Sequence, residues 1–380
     1  MIPYGRQSIE QADIDAVVEV LQSDYLTQGP RVPDFEASIM AATQSKHAVA
    51  MNSATSALHI ACLALGLGAG DMLWTSPITF VASANCALYC GAQVDFVDID
   101  PISYNMCPIA LVAKLEQAAQ NGTLPKVIVP VHLAGQSCDM EAIGTLAQRY
   151  GIHVIEDASH AIGASYQGQP RGNCKHSDIT VFSFHPVKIV TTAEGGAATT
   201  NDSVLAQKMD YLRSHGITRN PDLMTKNDGP WYYQQIDLGY NYRMTEMQAA
   251  LGVTQMTRLA AFVDRRQELA QRYDAKLKGL PLTRPHQDPH TRSSFHLYII
   301  RVAANKHRAV FEALRANGIG VNLHYIPVHV QPYYENLGFK NGDFLKAESY
   351  YAEAISIPVY ATMTDEQQDE VVHQLTQALA

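Results

Sequence analysis

Lys188 closes the segment Phe182-Ser-Phe-His-Pro-Val-Lys188, and Thr191-Thr-Ala-Glu-Gly-Gly196 follows three residues later. A lone lysine is ordinarily a solvated surface charge. A lysine in the loop after a buried strand, closed by a Gly-Gly turn, is instead a candidate Schiff-base nucleophile. Burial and neighbouring cations lower such an amine's pKa towards neutrality and expose its lone pair. His185, in the same loop, is either a second acid or base or a group that orients the loop.

Two more segments supply complementary chemistry. Glu156-Asp157-Ala-Ser-His160 ends the apolar run HVIEDA, and an acid at a strand's carboxyl end sits where ligands bind in α/β sheets. Asp157 could pair with a protonated ring nitrogen, and His160 could face the same ligand, although a turn-initiating Asp is an ordinary feature. Asn52-Ser-Ala-Thr-Ser-Ala57 is small and hydroxylated, between a strand and a helix. Free N–H groups at a helix start bind phosphate, and small residues let it come close; most such segments are plain N-caps. What changes the reading is the combination: a phosphate cup, a pyridinium partner and an amine, in that order.

These groups need a common platform. Between residues 46 and 200, short apolar runs (HAVAM, MLWTS, VDFVDI, KVIVPVHL, HVIEDA) alternate with helical patterns, and ITVFSF and GGAATT read as two further strands. Strands separated by helices of this length imply crossovers and a mainly parallel sheet covered on both faces. Asp202 to His215 reads as a helix, Gly216 to Gly239 as irregular, and Thr245 to Lys278 as one long helical stretch with Thr245 as N-cap. Beyond Pro281 the pattern becomes α+β, with a strand HLYIIRV, a helix from about Lys306 and a terminal helix from Thr364. The expected division is a large α/β domain over 20–250 and a smaller one over 251–380 that includes 1–19.

Bulk properties narrow the partners. The chain is 47% hydrophobic and 17% charged, with a formal net charge of −9, which argues against nucleic-acid or membrane-surface binding. No apolar run approaches a membrane span and Met1 to Glu10 lacks an apolar core, so a cytosolic protein is expected. The six cysteines show no CxxC spacing and read as small buried hydrophobes. His324 and His329 in HYIPVH have no carboxylate or Cys nearby to complete a set, so no metal is expected. Arg243 and Glu246 read either as a helix-start pair or, for Arg243, as an anion ligand.

SATSA, EDASHA, FSFHPVK, TTAEGG and Gly239-Tyr-Asn-Tyr-Arg-Met-Thr-Glu246 together resemble the sugar aminotransferases of the DegT/DnrJ/EryC1/StrS family, over nearly the whole chain. The resemblance implies the type I aminotransferase fold, pyridoxal 5'-phosphate (PLP) as cofactor and a homodimer with shared active sites. It implies that Lys188 carries PLP covalently, that Asp157 pairs with its ring nitrogen and that His160 contacts the ring hydroxyl. Phe80 would cover the ring face; Ala54, Thr55 and Ser183 would bind the phosphate, with Asn241 arriving from the second subunit. Tyr4, Asp24, Tyr25, Leu26 and Thr27, with Asn322, Leu323, His324 and Tyr325, match segments that line the sugar-nucleotide site, to which Ala54, Ser183 and Asn241 also contribute. DYLTQG, WTSPITFVASAN and HLAGQS are similar to a branch that takes UDP-2-acetamido-2,6-dideoxy-β-L-arabino-hexos-4-ulose, with L-glutamate as amino donor.

Three alternatives stand beside this one. Another nucleotide-linked 4-keto or 3-keto sugar could be the acceptor, since these motifs specify the cofactor better than the sugar. The family's dehydratase branch typically has His at the lysine position, where this chain has Lys188. A PLP-binding regulator without catalysis would lack turnover with glutamate, and no basic DNA-binding module is appended.

Overall fold

The computed structural model describes all 380 residues. Seven strands form the central sheet: β1 (His47–Met51), β2 (Met72–Thr75), β3 (Gln93–Phe96), β4 (Val127–Val129), β5 (His153–Asp157), β6 (Ile179–Ser183) and β7 (Gly196–Thr200). Their order across the sheet is β1-β7-β6-β5-β4-β2-β3. The five strands from β6 to β3 are parallel, while β7 runs antiparallel to both β6 and β1. The sheet is thus mainly parallel with an antiparallel edge. Apolar runs without alternation suit strands buried on both faces, and three cores lie around them, one built on Val49, Ile60, Leu73, Ile155 and Val181, one on Phe35, Ile39, Phe182 and Phe184, and one on Trp74, Leu111, Ile128 and Val154.

The helices are α1 (Gln11–Leu21), α2 (Arg31–Thr43), α3 (Ala54–Ala64), α4 (Ala82–Tyr89), α5 (Pro108–Asn121), α6 (Met140–Tyr150), α7 (Ser203–Leu212), α8 (Glu246–Thr257), α9 (Leu259–Lys276), α10 (Ala304–Ala316) and α11 (Asp365–Leu379), with two shorter helices between the last two. Local chemistry sets their ends. Ser53 Oγ accepts the Ser56 N–H at 3.1 Å to start α3, and Gly151, at φ 68°, stops α6. Thr245 with Gln248 and Thr364 with Gln367 form capping boxes at the starts of α8 and α11.

The expected single helix from Thr245 to Lys278 is two helices. Arg258 breaks it with φ −105° and ψ 3°, where its guanidinium is drawn into ion pairs with Glu10 and Asp13 of the N-terminal segment. After the break α9 joins a separate core with β8 (Tyr298–Arg301), β9 (Ala354–Ile357), α10 and α11. Ile2 packs against this core and bridges to Ile319. No helix is long and apolar enough to cross a membrane.

Candidate active site

The carboxyl ends of β5 and β6, the start of α3 and the loop after β6 surround one cavity of about 570 Å³. Asp157 and Ser183 are the last residues of their strands, and Lys188 follows in the loop that β7 closes. In the antiparallel pairings, Gly196 at the start of β7 lies opposite both Ser183 and Met51. A Cβ on Gly196 would collide with the backbone of Ser53 and Ala54. The glycine is what lets the sheet approach the start of α3 so closely.

That helix start could receive an anion. Ser53 caps the Ser56 N–H, and the Ala57 N–H bonds to the Ser53 carbonyl. The N–H groups of Ala54 and Thr55 remain without intrahelical partners, as the first turn of any helix requires. Both residues line the cavity, as does Ser183.

Lys188 is half-buried and its amine takes part in no side-chain hydrogen bond. Burial draws its pKa down to about 8, with the Asp157 charge opposing that shift. Burial, with Lys188 nearby, also lowers His324 to about 3 and pushes His160 and His296 well below the usual imidazole range. The three imidazoles therefore add no positive charge at neutral pH. Both oxygens of Asp157 are held: Oδ2 accepts from Ser83 Oγ at 2.6 Å and Oδ1 from the Ser159 N–H at 3.0 Å.

The cavity brings together Tyr4, Ala54, Thr55, Phe80, Asp157, His160, Ser183, Lys188, Asn322, Leu323, His324 and Tyr325. Phe80 is 58% exposed, free to cover a ligand. Asp24, Tyr25, Leu26, Thr27 and Asn241 are not part of it. Tyr25 lines a small cleft with Arg31 and Glu246, Thr27 bridges to Thr245, and the exposed Asn241 bridges to Ser214. His185 is exposed, and its Nδ1 accepts the Val187 N–H at 3.5 Å, which suits an orienting role. Arg243 donates to Ser214 Oγ, whereas the Glu246 carboxylate receives the Arg31 and Val32 N–H groups and so caps α2. His324 and His329 turn to different partners, Ser356 and Glu348.

Sequence reasoning missed Ser83, Thr79 and His296. Ser83 lies inside the apolar stretch TFVASANCALYC, and nothing local distinguishes it from a core serine.

The profile of the DegT/DnrJ/EryC1/StrS aminotransferase family matches residues 7–376. The spore coat polysaccharide biosynthesis protein SpsC of Bacillus subtilis is 40% identical over 378 residues, 98% of this chain and 95% of that protein. The UDP-4-amino-4,6-dideoxy-N-acetyl-β-L-altrosamine transaminase of Campylobacter jejuni serotype O:23/36 is 38% identical over 367 residues, 96% of this chain and 93% of that enzyme. Among solved structures, Helicobacter pylori PseC, an aminotransferase involved in pseudaminic acid biosynthesis, superimposes with a TM-score of 0.91 at 33% identity, over 100% of this chain and 99% of that one.

Sugar aminotransferases of this kind work with PLP, the form in which another solved neighbour was captured. The cavity fits that group by its polar groups: a helix start with two free N–H groups, a fixed carboxylate that accepts, and a lysine amine with no other partner.

Proposed function

Because this chain belongs to the DegT/DnrJ/EryC1/StrS aminotransferase family, we propose that it moves the amino group of L-glutamate to C4 of UDP-2-acetamido-2,6-dideoxy-β-L-arabino-hexos-4-ulose, giving UDP-4-amino-4,6-dideoxy-N-acetyl-β-L-altrosamine. The observation that carries the chemistry is the meeting of Lys188, Asp157 and the start of α3 in one cavity. The sugar rests on the 38% identical relative that bears that activity's name and on the likeness to PseC.

PLP, when bound, supplies an amine-exchanging aldehyde and a ring that accepts electrons. The chain's own residues do the rest. Ala54, Thr55 and Ser183 hold the phosphate, and Asp157 holds the proton on the ring nitrogen. Lys188 Nζ, with its pKa drawn down to about 8, is a base poised near neutral pH. It anchors the cofactor, takes the α-proton of glutamate and later delivers a proton to C4 of the sugar. Phe80 shields the ring face. Tyr4 and Asn322 to Tyr325 bind the sugar nucleotide.

Asp24 to Thr27 and Asn241 stand outside the cavity of their own chain, and we assign them to the site of a second subunit in a homodimer.

A second acceptor, another nucleotide-linked 4-keto or 3-keto sugar, is favoured by the 40% identity to SpsC, whose name concerns a spore coat polysaccharide. Assay of UDP- and dTDP-linked keto-sugars with glutamate separates the two. The β-L-arabino UDP-sugar should give the highest kcat/KM, by about tenfold or more, equivalent to ~1.4 kcal/mol. A higher value with the D-xylo epimer or a dTDP sugar would overturn the assignment.

A further inference from the structure

His160 has no nitrogen left for a ligand. It is 5% exposed and lies between two fixed partners: the Ala134 N–H reaches Nδ1 at 3.2 Å, and Nε2 lies 3.0 Å from Tyr325 Oη. A backbone N–H can only donate, so Nδ1 is a bare acceptor. Burial, followed by the charges of Lys188 and His324, pushes the imidazole's pKa well below its usual value. The ring therefore carries one proton, on Nε2, and gives it to Tyr325. The His296 ring, 4.3 Å away between centroids, backs this arrangement.

Tyr325 Oη thus accepts from His160 and must direct its own proton elsewhere. It makes no other hydrogen bond in the chain. Burial, then Asp157 and Tyr4, raise the phenol's pKa above its ordinary value, so the proton stays on at neutral pH. Tyr325 is a fixed donor without an acceptor, on the wall of the cavity that holds Lys188 and Asp157.

Sheet order says which acceptor belongs there. Across the strands, the phosphate cup sits at β7 and β6, Asp157 at β5, and Ala134, which pins His160, follows β4. In PLP the phosphate arm and the ring hydroxyl flank the lysine-bonded carbon on opposite sides. With its phosphate at the β7–β6 side, a bound PLP would turn its hydroxyl edge towards the β4 side, where His160 and Tyr325 stand.

We propose that Tyr325, and not His160, donates the hydrogen bond to the ring hydroxyl oxygen of bound PLP, and that His160 is a positioning residue acting through Tyr325. This rests on the reading of the cavity as a PLP site anchored at Lys188. A donor to that oxygen weakens its hold on the proton shared with the Lys188 nitrogen, so the visible band of the holoenzyme titrates at lower pH than it otherwise would.

The test is a spectroscopic pH titration of four holoenzymes: wild type, Tyr325→Phe, His160→Phe and the double variant. Tyr325→Phe should raise the midpoint by about one pH unit, the scale of one hydrogen bond to a charged atom. His160→Phe should raise it too, and in the Tyr325→Phe background it should add nothing. An unmoved midpoint in Tyr325→Phe overturns the proposal. So does a His160→Phe shift that persists undiminished in the double variant, because His160 would then reach the ring itself. Borohydride fixation of each protein, with mass mapping of Lys188, keeps the two claims apart. Absence of the label from wild-type Lys188 sinks the site reading, whereas a labelled Lys188 with an unmoved midpoint sinks this inference alone.

Discussion

Ser83 Oγ donates a 2.6 Å hydrogen bond to Asp157 Oδ2 from a fully buried position, and Thr79 Oγ1 lies 2.6 Å from the same hydroxyl. With the Ser159 N–H on the other oxygen, the carboxylate has one orientation. Ser83→Ala should keep the fold and cofactor binding but lower kcat about tenfold, the scale of one lost bond to a charged group. Steady-state kinetics with saturating glutamate reads this, and a kcat equal to wild type would show that Asp157 needs no such support.

Asp157→Asn keeps the shape and loses the charge. It should still take up PLP, through the phosphate cup and Lys188, yet lose roughly a hundredfold in kcat, or ~2.7 kcal/mol of transition-state stabilisation. An amide cannot hold the ring nitrogen protonated. Near-normal turnover would mean that another residue performs this task.

Glu156 precedes Asp157 on β5 and is completely buried. It meets His132 Nε2 at 2.7 Å, Arg171 Nη1 at 3.1 Å and Ser177 Oγ at 2.6 Å. Burial alone would raise its pKa, but Arg171 and His132 overrule that and hold it at about 2. A depressed carboxylate contributes stability that is complete above its unfolded pKa of about 4.3 and is lost as pH falls through about 2. Glu156→Gln should therefore cost about 3 kcal/mol at pH 7, the scale of a broken buried pair, and less as the pH drops into that window. Urea melts across the range test it; equal stability at pH 7 would contradict it.

The shared-site claim makes a quantitative forecast. Lys188→Ala and an inactivating Asn241 variant should each be almost dead alone. After subunit exchange, one site of a mixed dimer collects both lesions and the other has none. Half of the dimers are mixed, so activity should recover towards about a quarter of wild type, as a twofold interface requires. If exchange is verified and nothing recovers, each chain builds its own site.

Much of the site was legible because its parts end local patterns. Lys188, Asp157 and the start of α3 each follow an apolar strand or open a helix, and the sheet brings such ends together. What stayed hidden depends on distant partners. Ser83 matters through Asp157, 74 residues on. His160 is oriented by Ala134, 26 residues before it, and by Tyr325, 165 after it. The break at Arg258 answers to Glu10 and Asp13, and no periodicity in residues 245–278 announces it. Strand direction was likewise unreadable for β1 and β7, whose apolar residues suit either sense.

The central claim is that Lys188 carries the cofactor, and one measurement tests it most directly. The holoenzyme is reduced with borohydride, digested and mapped by mass. The phosphopyridoxyl group should appear on Lys188, and the Lys188→Ala protein treated in the same way should carry no label. A label on any other lysine of the wild-type chain, or a fully labelled Lys188→Ala protein, would contradict the account.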